Sequence, residues 1–168
     1  MQMLLDFGLT PSEYASGDVE YPVISRCPMC GAEKRLIGHG YYFRSAVLRL
    51  YDHLRLKIKR LLCTLCRKTL SLLPWFVLPQ FQYGLQFIID SLLRRAPTYR
   101  QLLQQHRRRF VRNLNAIQAF LRDLGFNASL PRAPDEKAIK LLWTIENMGL
   151  AVFSALYQKR FHRSFMAT

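Results

Sequence analysis

Acidic side chains are scarce. Only 11 Asp and Glu stand against 25 Lys and Arg in 168 residues, a formal charge of +14. The acids are scattered, and no two have the spacing of a general acid/base couple. A phosphate-cradling glycine loop, a nucleophile elbow and a His-Glu-x-x-His helix are all missing. Asp52, Asp90 and Glu146 can be arranged on paper as a metal-binding triad for phosphoryl transfer. Asp90 and Glu146, however, fall in segments that read as helical, and the chain is short for a ribonuclease-H-like core. The expectation is a protein with no catalytic residue.

Long apolar runs are missing too. The greasiest stretch, residues 70–81, is broken by Pro74 and Pro79 and falls short of a membrane span. The opening Met1-Gln2-Met3-Leu4-Leu5-Asp6 has no basic region and no adequate apolar segment for a secretory leader. A cytoplasmic protein without a membrane partner is expected. In that compartment thiols stay reduced, and paired cysteines favour a metal over a disulfide. Half of the chain is hydrophobic, with 8 Tyr, 11 Phe and 2 Trp, enough to bury a core. No internal repeat or low-complexity tract is visible.

Every cysteine belongs to one of two Cys-x-x-Cys pairs, Cys27-Pro28-Met29-Cys30-Gly31 and Cys63-Thr64-Leu65-Cys66-Arg67. Two residues between thiolates let a tight knuckle aim both sulfurs at one ion, and Gly31 can take the positive φ that closes the turn. A second knuckle completes a tetrahedron. The reading is one structural Zn2+ bound by Cys27, Cys30, Cys63 and Cys66, with no coordination position left for water. Redox dithiols, disulfides and buried free thiols are the alternatives. His39 and His53, lying between the knuckles, are competing ligands that four thiolates make unnecessary.

The basic charge is concentrated. Residues 1–20 carry four acids and no base, whereas residues 21–122 carry 19 bases against three acids. Such an excess calls for a polyanionic partner, nucleic acid first. In Leu54-Arg55-Leu56-Lys57-Ile58-Lys59 apolar and basic residues alternate strictly, a strand with one aliphatic and one cationic face. Arg60, Arg67 and Lys68 surround the second knuckle. Arg107, Arg108 and Arg112 lie on a helical segment, and no acid occurs between Asp90 and Asp123. Arg55, Lys57, Lys59, Arg60, Arg67, Lys68, Arg107, Arg108 and Arg112 are therefore the expected nucleic-acid contacts, since guanidinium groups grip phosphate bidentately. A solubilising face is the bland reading. Tyr41, Tyr42 and Phe43 read as core on one strand face and cover on the other, with base stacking as the alternative.

The chain divides into an acidic, loosely ordered lead-in (1–22), a four-cysteine ribbon of short antiparallel strands (23–80) and a helical half (81–168). The ribbon includes a strand over residues 36–43 with a glycine-permitted bend. Apolar spacing predicts about three helices. The first carries Phe81, Leu85, Ile88 and Leu92. The second is one long stripe, Tyr99, Leu103, His106, Phe110, Leu114, Ile117, Leu121 and Leu124, begun by Thr98 and Gln101 as a capping box and stopped by Gly125. His106 is expected to be a satisfied core histidine. The third, after Pro134, shows Ile139, Leu142, Ile145, Val152 and Leu156 on one side. The fold class is α+β, with Trp75 and Phe76 joining both halves in one core.

The run Cys27-Pro28-Met29-Cys30-Gly31, His39-Gly40-Tyr41-Tyr42-Phe43-Arg44 and Cys63-Thr64-Leu65-Cys66-Arg67-Lys68-Thr69-Leu70-Ser71-Leu72-Leu73-Pro74 resembles the N-terminal zinc ribbon of bacterial insertion-sequence transposases. It also resembles a related family of small, uncharacterised bacterial zinc-ribbon proteins. The resemblance covers residues 23–80. It implies that the four cysteines are zinc ligands and that the ribbon docks on DNA at a mobile element, at the nucleoid, beside a transposase or recombinase partner or a second copy. Transposases continue into a catalytic domain, which this chain does not show. What the resemblance carries over is DNA docking; strand cleavage does not carry over with it. An RNA binder, or a protein-interaction module for a recombinase or transcription complex, is the alternative.

Overall fold

A computed structural model describes residues 1–127 and 129–167. Its centre is a long hairpin of β2 (Leu36–Arg49) and β3 (Asp52–Cys63). β3 also pairs antiparallel with β4 (Thr69–Pro74), and β4 pairs parallel with β1 (Gln2–Leu5), giving the order β1-β4-β3-β2. The alternation over residues 54–59 is seen as expected. Leu56 and Ile58 are buried on one face, while Arg55 and Lys57 are exposed on the other. The glycine bend is a register irregularity between Gly38 and Tyr41, where Gly40 adopts φ +78°.

The lead-in is not loose. β1 lies in the sheet, and α1 (Pro11–Ser16) follows, opened by a Thr10–Glu13 capping box with Pro11 at its first turn. Tyr14 of α1 is fully buried. Segment 1–22 is ordered because apolar residues at its start find β4, and Phe7 and Tyr21 pack over Leu61, Leu70 and Leu72.

The described helices number six where about three were expected. Besides α1 they are α2 (Leu85–Leu92), α3 (Arg100–Arg112), α4 (Leu114–Asp123), α5 (Pro134–Met148) and α6 (Leu150–Phe161). The long stripe is cut at Asn113, whose side chain donates to Arg109 O at 2.9 Å and to Ala167 O at 2.8 Å. An Asn amide bonded to backbone in this way diverts the chain from a continuous helix. The third segment turns by 104° at Gly149, which sits at φ +94°. Of the residues expected on one side, Leu142 and Ile145 are buried while Ile139, Val152 and Leu156 are exposed. Among the described residues, no single helix is long and apolar enough to cross a membrane. Thr98 does not cap α3; Tyr99 stands at the cap without a side-chain bond.

One core spans sheet and helices. Ala46, Leu56, Ile58, Leu73 and Phe76 pack with Ile88, Phe110, Ile117, Ile145 and Phe153, and Trp75 lies against the same cluster. His106 is buried against the rings of Phe81 and Tyr83, but its Nδ1 has no hydrogen-bond partner among the described residues. The satisfied histidine expected from the stripe is therefore an unsatisfied one. Burial, and then the neighbouring Arg109 charge, lower its pKa from 6.5 to about 4. Because the folded value lies below the unfolded one, the unfolded chain takes up the proton first. The stability that neutral His106 contributes is intact above pH 6.5 and drains as pH falls toward 4. The melting temperature of wild type should fall relative to that of His106→Leu as pH drops through that window. Parallel curves would refute the assignment.

Candidate metal centre and cationic face

The knuckles sit side by side at one end of the hairpin. Cys27 N donates to Ala32 O at 2.9 Å, and Gly31 N donates to Cys27 O at 2.8 Å, with Gly31 at φ +73°. The second knuckle repeats this with Cys63 N to Lys68 O at 3.0 Å and Arg67 N to Cys63 O at 2.9 Å. Arg67 takes the left-handed position, at φ 59°, that Gly31 takes in the first. Thr64 N donating to Arg35 O at 2.8 Å ties the second knuckle to the residues beside β2.

The four sulfurs converge. Cys27 and Cys66 Sγ are 3.9 Å apart, Cys30 and Cys63 Sγ are 3.7 Å apart, and all four lie within 4.8 Å of one another. A tetrahedron with metal–sulfur bonds of about 2.3 Å has edges of about 3.8 Å, the length of the two closest sulfur pairs, so the thiol set can hold a metal ion. Backbone amides of Cys66, then Leu65, hold the Cys63 thiol down at about 6 against the pull of burial. Cys30 is relieved by the Ala32 amide, but burial and the three neighbouring thiols push it up to about 11. Four thiols this close cannot all ionise alone, and a cation removes the conflict. His39 and His53 are exposed and lie outside the cluster.

The cationic residues separate into three groups. Arg55, Lys57 and Lys59 share the open face of β3, opposite Ser45, Phe43 and Tyr41 of β2. Arg67 and Lys68 are exposed at the second knuckle. Arg60, expected with them, has the other strand parity, sits opposite Ser71 and is half-buried. Arg107, Arg108 and Arg112 are exposed on α3, which packs chiefly on α2, α4 and α5. Arg107 is already paired with Asp135.

The aromatics resolve by face. Tyr42 points to the core side, while Tyr41 and Phe43 stand on the cationic side. Arg55 lies 4.2 Å over the Phe43 ring, Lys57 lies 4.6 Å over Tyr41, and Lys59 lies 5.2 Å over Tyr21. Arg55 and Lys57 each lean over the ring diagonal to them rather than the residue directly opposite, and Tyr21 reaches Lys59 from outside the strands. Of the acids drawn on paper as a triad, Asp90 and Glu146 face a guanidinium, and Asp52 is exposed at the start of β3. Arg95 reaches Glu146 at 2.6 Å and Asp90 at 4.0 Å, so a guanidinium occupies the place a cation would take.

Among curated proteins and solved structures, nothing matches the chain. Residues 27–110, from the first metal-centre cysteine to the end of the α3 arginine run, match a family described as a domain of unknown function, DUF6431. That match spans half of the chain, and the chain belongs to this family.

Proposed function

We propose that this chain is a non-catalytic DNA-binding protein whose knuckles hold one structural zinc ion and so keep a cationic sheet face in register. The observation that carries the reading is the row Arg55, Lys57 and Lys59 at alternate positions of β3, on a face without an acidic neighbour across the pairing strand. Alternate positions on a strand repeat about every 6.6 Å, about twice the 3.4 Å axial rise per phosphate of one DNA strand. Four thiolates suit zinc and leave no open site, so the ion supports the fold. The ion pairs of Arg95 with Asp90 and Glu146 favour a structural role for those acids. Association with a bacterial mobile element follows from the likeness of residues 23–80 to transposase ribbons.

A duplex-binding series across salt concentration tests this. If about five or six phosphates are contacted, log affinity against log salt falls with a slope of about −5. The triple change Arg55/Lys57/Lys59→Glu should flatten that slope by about three and cut affinity at least tenfold. Arg107/Arg108/Arg112→Glu should act less, since Arg107 is engaged by Asp135. Binding unmoved by both sets sinks the DNA reading.

One observation favours the second reading, a protein-interaction module. Ile139 and Trp143 of α5 and Val152 and Leu156 of α6 are exposed. Beside them a groove floored by Leu103, Phe110 and Leu142 is rimmed by Arg94, Arg100 and Arg107. A recombinase, a transcription complex or a second copy fits such a surface.

A further inference from the structure

The open face of the hairpin does more than present charge. Tyr21, Tyr41 and Phe43 form a row of rings, with Tyr21 and Tyr41 centroids 6.0 Å apart and Phe43 two residues along the strand from Tyr41. Tyr41 and Phe43 are 51% and 58% exposed, values far from those of core aromatics. Each ring is paired with its own cation, Phe43 with Arg55, Tyr41 with Lys57 and Tyr21 with Lys59. A purely solubilising face needs no rings, and a purely phosphate-gripping face needs none either.

The geometry points to a platform for an extended single strand of nucleic acid, with bases stacked on Tyr41 and Phe43 and phosphates met by Arg55, Lys57 and Lys59. This rests on the nucleic-acid reading above and sharpens it. Rings two residues apart on a strand are separated by about 6.6 Å, roughly twice the 3.4 Å rise of stacked bases. A stretched strand can therefore place one base on each ring. A base has a π-face whatever its identity, so such a platform is tolerant of sequence. A cation on one face of a ring completes a cation–ring–base stack when a base meets the other.

Duplex DNA fits the face less well. A two-stranded ribbon enters a major groove only if it projects freely. Here the far edge of β3 is walled. The hydroxyls of Tyr14 and Tyr21 both donate to Lys57 O, at 3.1 and 2.7 Å, and Phe7 packs edge-on against both rings. A strand can lie along the step made by that wall; a duplex groove cannot close over it.

The experiment compares the full-length, metal-loaded chain on labelled oligothymidine of about 12 nucleotides and on a blunt duplex of similar length. Oligothymidine should bind at least tenfold tighter, with a salt slope of about −2 for three contacted phosphates. Tyr41→Ala and Phe43→Ala should each weaken it about 5- to 150-fold, while leaving the melting temperature and duplex affinity in place. Phe43→Trp should retain binding, which separates stacking from a merely structural loss. Duplex preferred, with affinity indifferent to the rings yet lost on Lys57/Lys59→Glu, would overturn the platform and leave the DNA reading standing. Neither probe bound would end both. An oligouridine arm assigns the source: a tenfold preference over oligothymidine means RNA, and anything less means DNA. Either result is a single strand on the same rings.

Discussion

Stripping the metal should disorder the knuckle end of the hairpin and leave the helical core standing. Little else holds that end. Val23 is 94% exposed, and of residues 23–35 only Ile24 packs against the small cluster of Leu61, Leu70 and Leu72. The Arg26–Glu33 pair is on the surface and contributes little. In small zinc modules the ion supplies about 10–16 kcal/mol of folding energy, comparable to the whole stability of an ordinary domain at about 5–15 kcal/mol. Freshly purified chain should hold one metal ion, and Cys63→Ser should hold none. Cys63 is fully buried, so serine there also strands a hydroxyl. Hydrogen exchange after chelation should show protection lost over residues 24–36 and 60–68, and kept over 114–121 and 153–158. A melting temperature unchanged by a strong chelator would remove the centre from the account. Elemental analysis would tell zinc from iron, the other metal that four thiolates accept.

The second large effect is expected at Phe153. Its ring is fully buried and meets Phe165, Phe120 and Tyr157 with centroids 5.2, 5.7 and 5.7 Å away. Two of these are edge-on, the arrangement the ring quadrupole favours. Phe153→Ala removes the transfer energy and leaves a hole between α4, α6 and the segment that follows α6, a cost of about 3–5 kcal/mol. At this chain length that lowers the melting temperature by about 10 °C. Urea unfolding of Phe153→Ala against Phe153→Leu checks it, the leucine variant costing clearly less. A loss below about 1 kcal/mol for alanine would mean that the helices repack and that the aromatic cluster is dispensable.

Legibility in the chain followed the range of the physics involved. Two Cys-x-x-Cys pairs state a local chemical demand, and their sulfurs do converge. The alternation from Leu54 to Lys59 is equally local, and its two faces are as expected. The same parity rule, carried one residue further, sets Arg60 with Leu56 and Ile58 rather than with Arg67 and Lys68 at the second knuckle. Thr10-Pro11-Ser12-Glu13 is a capping box readable without a structure. Gly149 is the kind of residue that ends a helix. Other features depend on partners far along the chain. Asn113 interrupts a stripe whose apolar period runs through it unbroken, and one of its bonds goes to Ala167, 54 residues away. Nothing in Gln2-Met3-Leu4-Leu5 names β4 as its neighbour. The pairing of Phe43 with Arg55 comes from register, which periodicity leaves open.

The β1 strand has one more implication. Leu4 N donates to Gln158 Oε1 at 2.7 Å, and Gln158 Nε2 donates to Gln2 O at 2.9 Å, so α6 clasps the first strand. During synthesis at about 5–20 residues per second, Gln158 follows Gln2 by roughly 8–30 seconds. For that interval a ribosome-bound chain leaves the outer edge of β1, at Gln2 O and Leu4 N, without its clasp. α6 is then the latch that shuts it.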